Sequence, residues 1–152
     1  MISSVLRSVY LLALSILVGS VVFFSLLVLP ALFIHLDAAR AGEIAALLFP
    51  NYYRLGLVCA AVLVGVTLSL AAGSAPELRR AWSLAALTTT IILAAQAYAA
   101  LVVHPQVSAL RGVESAHAEF DALHHAAVRL NAVVLAAASG LVLASGYLLG
   151  KR

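Results

Sequence analysis

Residues 117–149 read HAEFDALHHAAVRLNAVVLAAASGLVLASGYLL, and the join inside this stretch decides the fold. Its last 18 residues, Ala132 to Leu149, carry no charge. A helix needs roughly 20 apolar residues to cross a hydrocarbon core, so this run, opened by Leu130 and Asn131, reads as a membrane span. The preceding residues are a polar helix leading into it. At about 100° per residue, His117, Asp121, His124, Val128 and Asn131 fall on one stripe, His125 lies one step around, and Glu119 points away. Lipid satisfies none of these groups, so they must pair, coordinate something or meet water.

The rest of the chain has the same character. Of its 152 residues 64% are hydrophobic and 10% charged, with a mean hydropathy of +1.11; a soluble domain would be about a quarter charged. Four stretches are long and apolar enough to span: Val9–Leu29, Leu55–Ala72, Ala81–Val103 and Leu130–Leu149. The first, at 21 residues, exceeds the apolar core of a signal peptide and is followed by no small-x-small cleavage site, so it reads as a retained span. The lone Cys59 excludes an intramolecular disulfide. A pI near 9.4 would suggest nucleic acid in a soluble chain; here the excess is topological, and no nucleic-acid partner is expected.

Charge then sets orientation. The N-terminus, the loop between spans two and three and the C-terminus hold Arg7, Arg79, Arg80, Lys151 and Arg152 against Glu77, which is 5 − 1 = +4. The other two loops hold Arg40, Arg54, Arg111 and Arg129 against Asp37, Glu43, Glu114, Glu119 and Asp121, which is 4 − 5 = −1. The positive-inside rule puts both termini in the cytoplasm, as for an inner-membrane protein of a bacterium. All five histidines (His35, His104, His117, His124 and His125) then fall on the outer side.

Between the spans, residues 31–50 and 106–129 are too polar to cross and too apolar to float free, and read as amphipathic segments on the outer surface, the first broken near Gly42. Pro30 ends or bends span one. Stripes of small residues, Ser15 and Gly19, Ala61-x3-Gly65-x3-Ser69 and Ala136-x3-Gly140-x3-Ala144, suit close helix contact. Trp82, Tyr10 and Tyr147 mark the inner interface. Gln96, well inside span three on the face of His104, calls for a partner: an interhelical hydrogen bond or a polar site in the bundle. An offset of 75 lays Pro30 on Pro105, Arg54 on Arg129 and Gly65 on Gly140, which suggests a parallel two-fold repeat of helix, outer segment and helix. The histidine stripe would then belong to the second half alone, since Gly42, Ala46 and Phe49 are the counterparts of His117, Asp121 and His124.

Three pieces carry a resemblance: FF-x5-P-x2-F (Phe23, Phe24, Pro30, Phe33), AG-x5-LFP-x-YY (Ala41, Gly42, Leu48, Phe49, Pro50, Tyr52, Tyr53) and F-x3-H-x6-N (Phe120, His124, Asn131). In this order, over nearly the whole chain, they resemble the uncharacterised membrane family, domain of unknown function 4149, that includes transmembrane protein 205. The resemblance implies four spans and lends support to His124 and Asn131. A more distant, architectural likeness is to CopD-type copper-resistance membrane proteins and the four-helix haem proteins grouped with them.

Two chemistries suit the residues. His117, Asp121 and His124 at i, i+4 and i+7, with His104 or His35 completing the shell and His125 adjacent, would suit Zn²⁺ or Cu²⁺. Two axial imidazoles, such as His104 and His124, would instead suit haem, with Arg111 or Arg129 for its propionates. No nucleophilic triad, phosphate loop or CxxC pair occurs. The sequence therefore predicts an all-α, four-helix integral membrane bundle in the lipid bilayer. It would bind, and move, a transition-metal ion at an outer His/Asp site beside Asn131 and Gln96. A ligand-free accessory subunit, working as a homo-oligomer or with another membrane protein, is the rival from a different class. Orientation has a direct check: in impermeant-thiol labelling, Pro76→Cys should react only from the cytoplasm and Gly112→Cys only from outside. The reverse pattern would invert the topology.

Overall fold

The computed structural model describes residues 2–111 and 113–150 and consists of four long helices joined by short turns. They are α1 (Ser3–His35), α2 (Ala38–Gly73), α3 (Pro76–Leu110) and α4 (His117–Gly150), each of 33–36 residues and each containing one of the four apolar runs. At about 1.5 Å per residue such helices are roughly 50 Å long, well beyond a core of about 30 Å. The protein is an all-α membrane bundle. Its helices run up and down, with α1 against α2, α2 against α3, α3 against α4, and α4 back against α1. We call the end carrying the described N- and C-terminal residues the terminal end and the opposite one the distal end.

The expected surface segments are instead the distal ends of the helices. Residues 31–35 complete α1, and the break falls at Leu36–Asp37, where the Asp37 carboxylate accepts from the Arg40 amide at 2.9 Å as an N-cap. From there α2 runs unbroken through Gly42 and Pro50. Residues 104–110 complete α3, and a 3₁₀ turn, Glu114–Ala116, leads directly into α4. A strong cap thus outweighs a helical glycine in placing the break.

Pro30 does not end its helix either. The six residues before α1's last segment, Phe23–Val28, are π-helical, and the Leu29 amide bonds to the Phe24 carbonyl. Widening the helix here accommodates a proline that has no amide to give. Pro105 repeats the device: Ala99–Val103 is π-helical and the His104 amide bonds to the Ala99 carbonyl. Adding 105 − 30 = 75 to 23–28 gives 98–103, within one residue of the observed segment. The repeat read in the sequence is therefore visible in the helices.

The core lies on the bundle axis. Leu14, Leu17, Leu63 and Ile92 are essentially inaccessible. Tyr10 and Trp82, expected at the interface, are fully buried instead, ring to ring at 5.4 Å and 86°; Tyr147 alone of the three is exposed. Thr67 and Thr89 hydroxyls meet at 3.1 Å and tie α2 to α3.

The small-residue stripes do not make the helix contacts expected of them. Ser15, Gly19, Ala61, Gly65, Ser69, Ala136, Gly140 and Ala144 are all exposed, and a Cβ at Gly19, Gly65 or Gly140 would meet nothing within 4 Å. The faces turned inward are others, those of Leu17, Leu63 and Leu141. The close approach is elsewhere, at Gly56 of α2, where a Cβ would come within 2.7 Å of Gln96 Nε2. Overpacking a filled interior costs about 1–3 kcal/mol, so Gly56→Leu should lower the melting temperature in detergent. Gly65→Leu and Gly140→Leu should leave it nearly unchanged, and equal losses for all three would contradict this packing.

Candidate functional site

At the distal end the four helices line a half-open cavity of about 520 Å³. Leu29 and Phe33 of α1 and Gly42, Ala45, Phe49 and Tyr53 of α2 form one side. His104, Ser108 and Arg111 from α3 and its following turn, with His117, Phe120, His124 and Ala127 of α4, form the other. The offset of 75 pairs these walls: Leu29 with His104, Phe33 with Ser108, Gly42 with His117, Ala45 with Phe120 and Phe49 with His124. The cavity therefore sits on the pseudo-two-fold axis. One half of the chain supplies an apolar wall, and the other supplies the imidazoles.

The sequence stripe was rotated from the true one. His117 and His124 do face the cavity, but Phe120 and Ala127 accompany them at i+3 spacing. Asp121 and Val128, placed on the same stripe by i+4 counting, are exposed and away from the lining. His125 is exposed too, its carbonyl accepting from Arg129 Nε at 3.3 Å. His35 lies exposed at the end of α1. Among the described residues, no three His, Cys, Asp or Glu side chains gather as for one metal ion.

His104 is half-buried and held by rings: 5.7 Å from Phe49 and 5.5 Å from Tyr53, centroid to centroid. His124 instead stacks on Phe120 of its own helix at 6.2 Å and 4°. Arg111 reaches across to α2, its Nη1 donating to the Gly42 carbonyl at 2.5 Å. A guanidinium has five N–H donors, so this bond leaves others for a ligand. The lining also shows what reading by spacing missed. Phe49, Tyr53, Phe120 and Gly42 stood in the quoted family pieces, whereas Arg111 had weight only as a propionate partner.

One turn below the cavity is a hydrogen-bonded layer. The Tyr52 hydroxyl donates to Asn131 Oδ1 at 2.5 Å, and Asn131 Nδ2 donates to Ser25 Oγ at 2.8 Å. Asn131 thus joins α4 to α2 and α1 through side chains. Gln96 is only 2% exposed, and among the described residues its Nε2 has no hydrogen-bond partner; its carboxamide lies against Gly56. The expected interhelical bond is absent there, and close packing stands in its place.

A family profile, described as a domain of unknown function (DUF4149), matches residues 12–116, about two thirds of the chain, which therefore belongs to that family. Comparison with curated proteins and with solved structures gives no match. The layer beneath the cavity can be tested by a double-mutant cycle. Asn131→Leu should remove its bonds to Tyr52 and Ser25 and cost about 1–3 kcal/mol. Adding Tyr52→Phe should cost less than the sum of the two single changes, because the pair share one bond. Strict additivity in thermal unfolding would show that the two side chains do not interact.

Proposed function

We propose that this DUF4149 member is an integral membrane protein that binds a small amphipathic anion in its distal cavity. One observation carries the reading: among the described residues, the lining holds a guanidinium and three imidazoles and no carboxylate. Asp37, Glu43, Glu119 and Asp121 all belong to the same distal end, yet none of them lines the cavity. A wall of Leu29, Phe33, Phe49 and Phe120 suits an apolar body, and Arg111 beside His104, His117 and His124 suits an acidic head. The volume lies in the range of about 300–1,000 Å³ in which small-molecule sites occur. By the charge count the cavity belongs to the extracytoplasmic side.

The transition-metal reading draws on the same imidazoles. A structural zinc site usually takes four ligands at about 2.0–2.3 Å, a convergence that the described residues do not display. The two readings predict opposite responses to acid. Histidine changes charge between about pH 5 and 8, and a protonated imidazole attracts an anion but releases a metal ion.

Decane-1-sulfonate, which stays ionised throughout this range, should therefore bind several-fold more tightly at pH 5.5 than at pH 8 by native mass spectrometry. Hydrogen bonds to charged groups contribute about 1.5–3 kcal/mol, so Arg111→Gln should weaken it about 10- to 100-fold. Zn²⁺ or Cu²⁺ binding that is lost at pH 5.5 and abolished by His124→Ala would favour the metal reading. A Soret band at near-stoichiometric level, shifted by His104→Ala, would favour haem.

A further inference from the structure

The bundle is not closed equally on its two sides at the distal end. Beyond their π-helical stretches, the last segment of α1 packs on α2 and that of α3 packs on α4, so the cavity lies between two helix pairs. The seam between α2 and α3 is tied three times. Phe49 and Tyr53 each lie against His104, and Arg111 is bonded to the Gly42 carbonyl. The seam between α1 and α4 is tied by Asn131 to Ser25. Distal to that bond, among the described residues, no hydrogen bond or ring contact joins α1 to α4. The ring contacts of α1 at this end, those of Phe24 with Phe49 and Tyr52, go to α2, and His124 stacks within its own helix. Phe33 on the α1 side and Val128 on the α4 side are 53% and 52% exposed.

We infer that the seam between α1 and α4 is a lateral door to the cavity, and that the ligand is a single-chain lipid with an anionic head, admitted from the bilayer. This rests on the proposed binding of an amphipathic anion and adds its source and route. Two features favour this occupant, beside the exposed Phe33 and Val128 at the seam. The far wall carries Arg111, which would receive the head after the chain has entered between Phe33 and Phe120. The same arginine secures the opposite seam, so the head would be bound where the bundle is held shut.

The register for a test follows from the packing. Carrying the Ser25–Asn131 pair three residues distally along two antiparallel helices sets 25 + 3 = 28 opposite 131 − 3 = 128, that is, Val28 opposite Val128, neither of which lines the cavity. Carrying Gly56–Gln96 ten residues distally sets Ala46 opposite Gln106. The same count sets Gly42 opposite Leu110, beside the observed Arg111 bond.

In a Cys59→Ala background, Val28→Cys with Val128→Cys is joined by a short bismaleimide across the door, and Ala46→Cys with Gln106→Cys across the closed seam. The probe is a nitrobenzoxadiazole-labelled dodecanoate, delivered from phosphatidylcholine vesicles to protein in nanodiscs and followed by stopped-flow fluorescence. Joining the door should slow loading at least tenfold and leave equilibrium affinity within about twofold. Joining the closed seam should leave both within about twofold. Unchanged loading across the joined door, or slowing by the other cross-link instead, overturns the lateral route while the binding reading stands. No binding of the probe before cross-linking overturns the binding reading and the route with it.

Discussion

A peptide group in hydrocarbon has no water to turn to, so its hydrogen bonds must be made within the protein. Everything at the distal end of this bundle follows from how two prolines are accommodated under that constraint. Each sits just beyond a π-helical stretch that shifts the bonding by one residue, and each helix then continues for about two more turns. Those continuations carry Phe33 and His104, Ser108 and the approach to Arg111. Were the helices to stop at the prolines, the cavity would keep Leu29 and His104 but lose Phe33, Ser108 and Arg111.

The two halves of the chain share this backbone plan and divide the chemistry between them. Positions paired by the 75-residue offset hold Leu29 and His104, Gly42 and His117, Phe49 and His124. The same division continues one layer down, where Gly56 is the counterpart of Asn131. At that level the first half uses a glycine to admit Gln96, and the second uses an amide to bond Ser25 and Tyr52. One site on the axis of a repeated fold can thus present an apolar side and a polar side.

Much of this was legible in the sequence, for identifiable reasons. Four spans emerge from uninterrupted apolar length, and the repeat from two prolines at equal spacing. The helix boundaries were not legible, because Pro30 and Gly42 suggest breaks, whereas the structure breaks at Asp37, whose capping bond is local and strong. The small-residue stripes were misassigned for a related reason. Helical periodicity groups residues on a face but does not say which face turns inward, and Gly65 and Gly140 turn out. The same ambiguity rotated the stripe of α4. Counting by four joins His117 to Asp121, while counting by three joins it to Phe120, and burying a ring near other apolar groups favours the second. Of the candidate residues, His104, His117 and His124 line one cavity without gathering as for a metal ion, and Asn131 lies just beneath it, whereas His35, His125 and Asp121 do not line it.

The position of the single tryptophan has a consequence for spectroscopy. Trp82 is wholly buried beside Tyr10 at the terminal end of the bundle, 22 residues along α3 from His104. At about 1.5 Å per residue that is roughly 33 Å. Its emission therefore reports on the packing of the terminal half and not directly on contacts made in the cavity. A change in intrinsic fluorescence when a ligand is added would be a signal of long-range mechanical coupling along α3, and a silent spectrum would carry no information about occupancy.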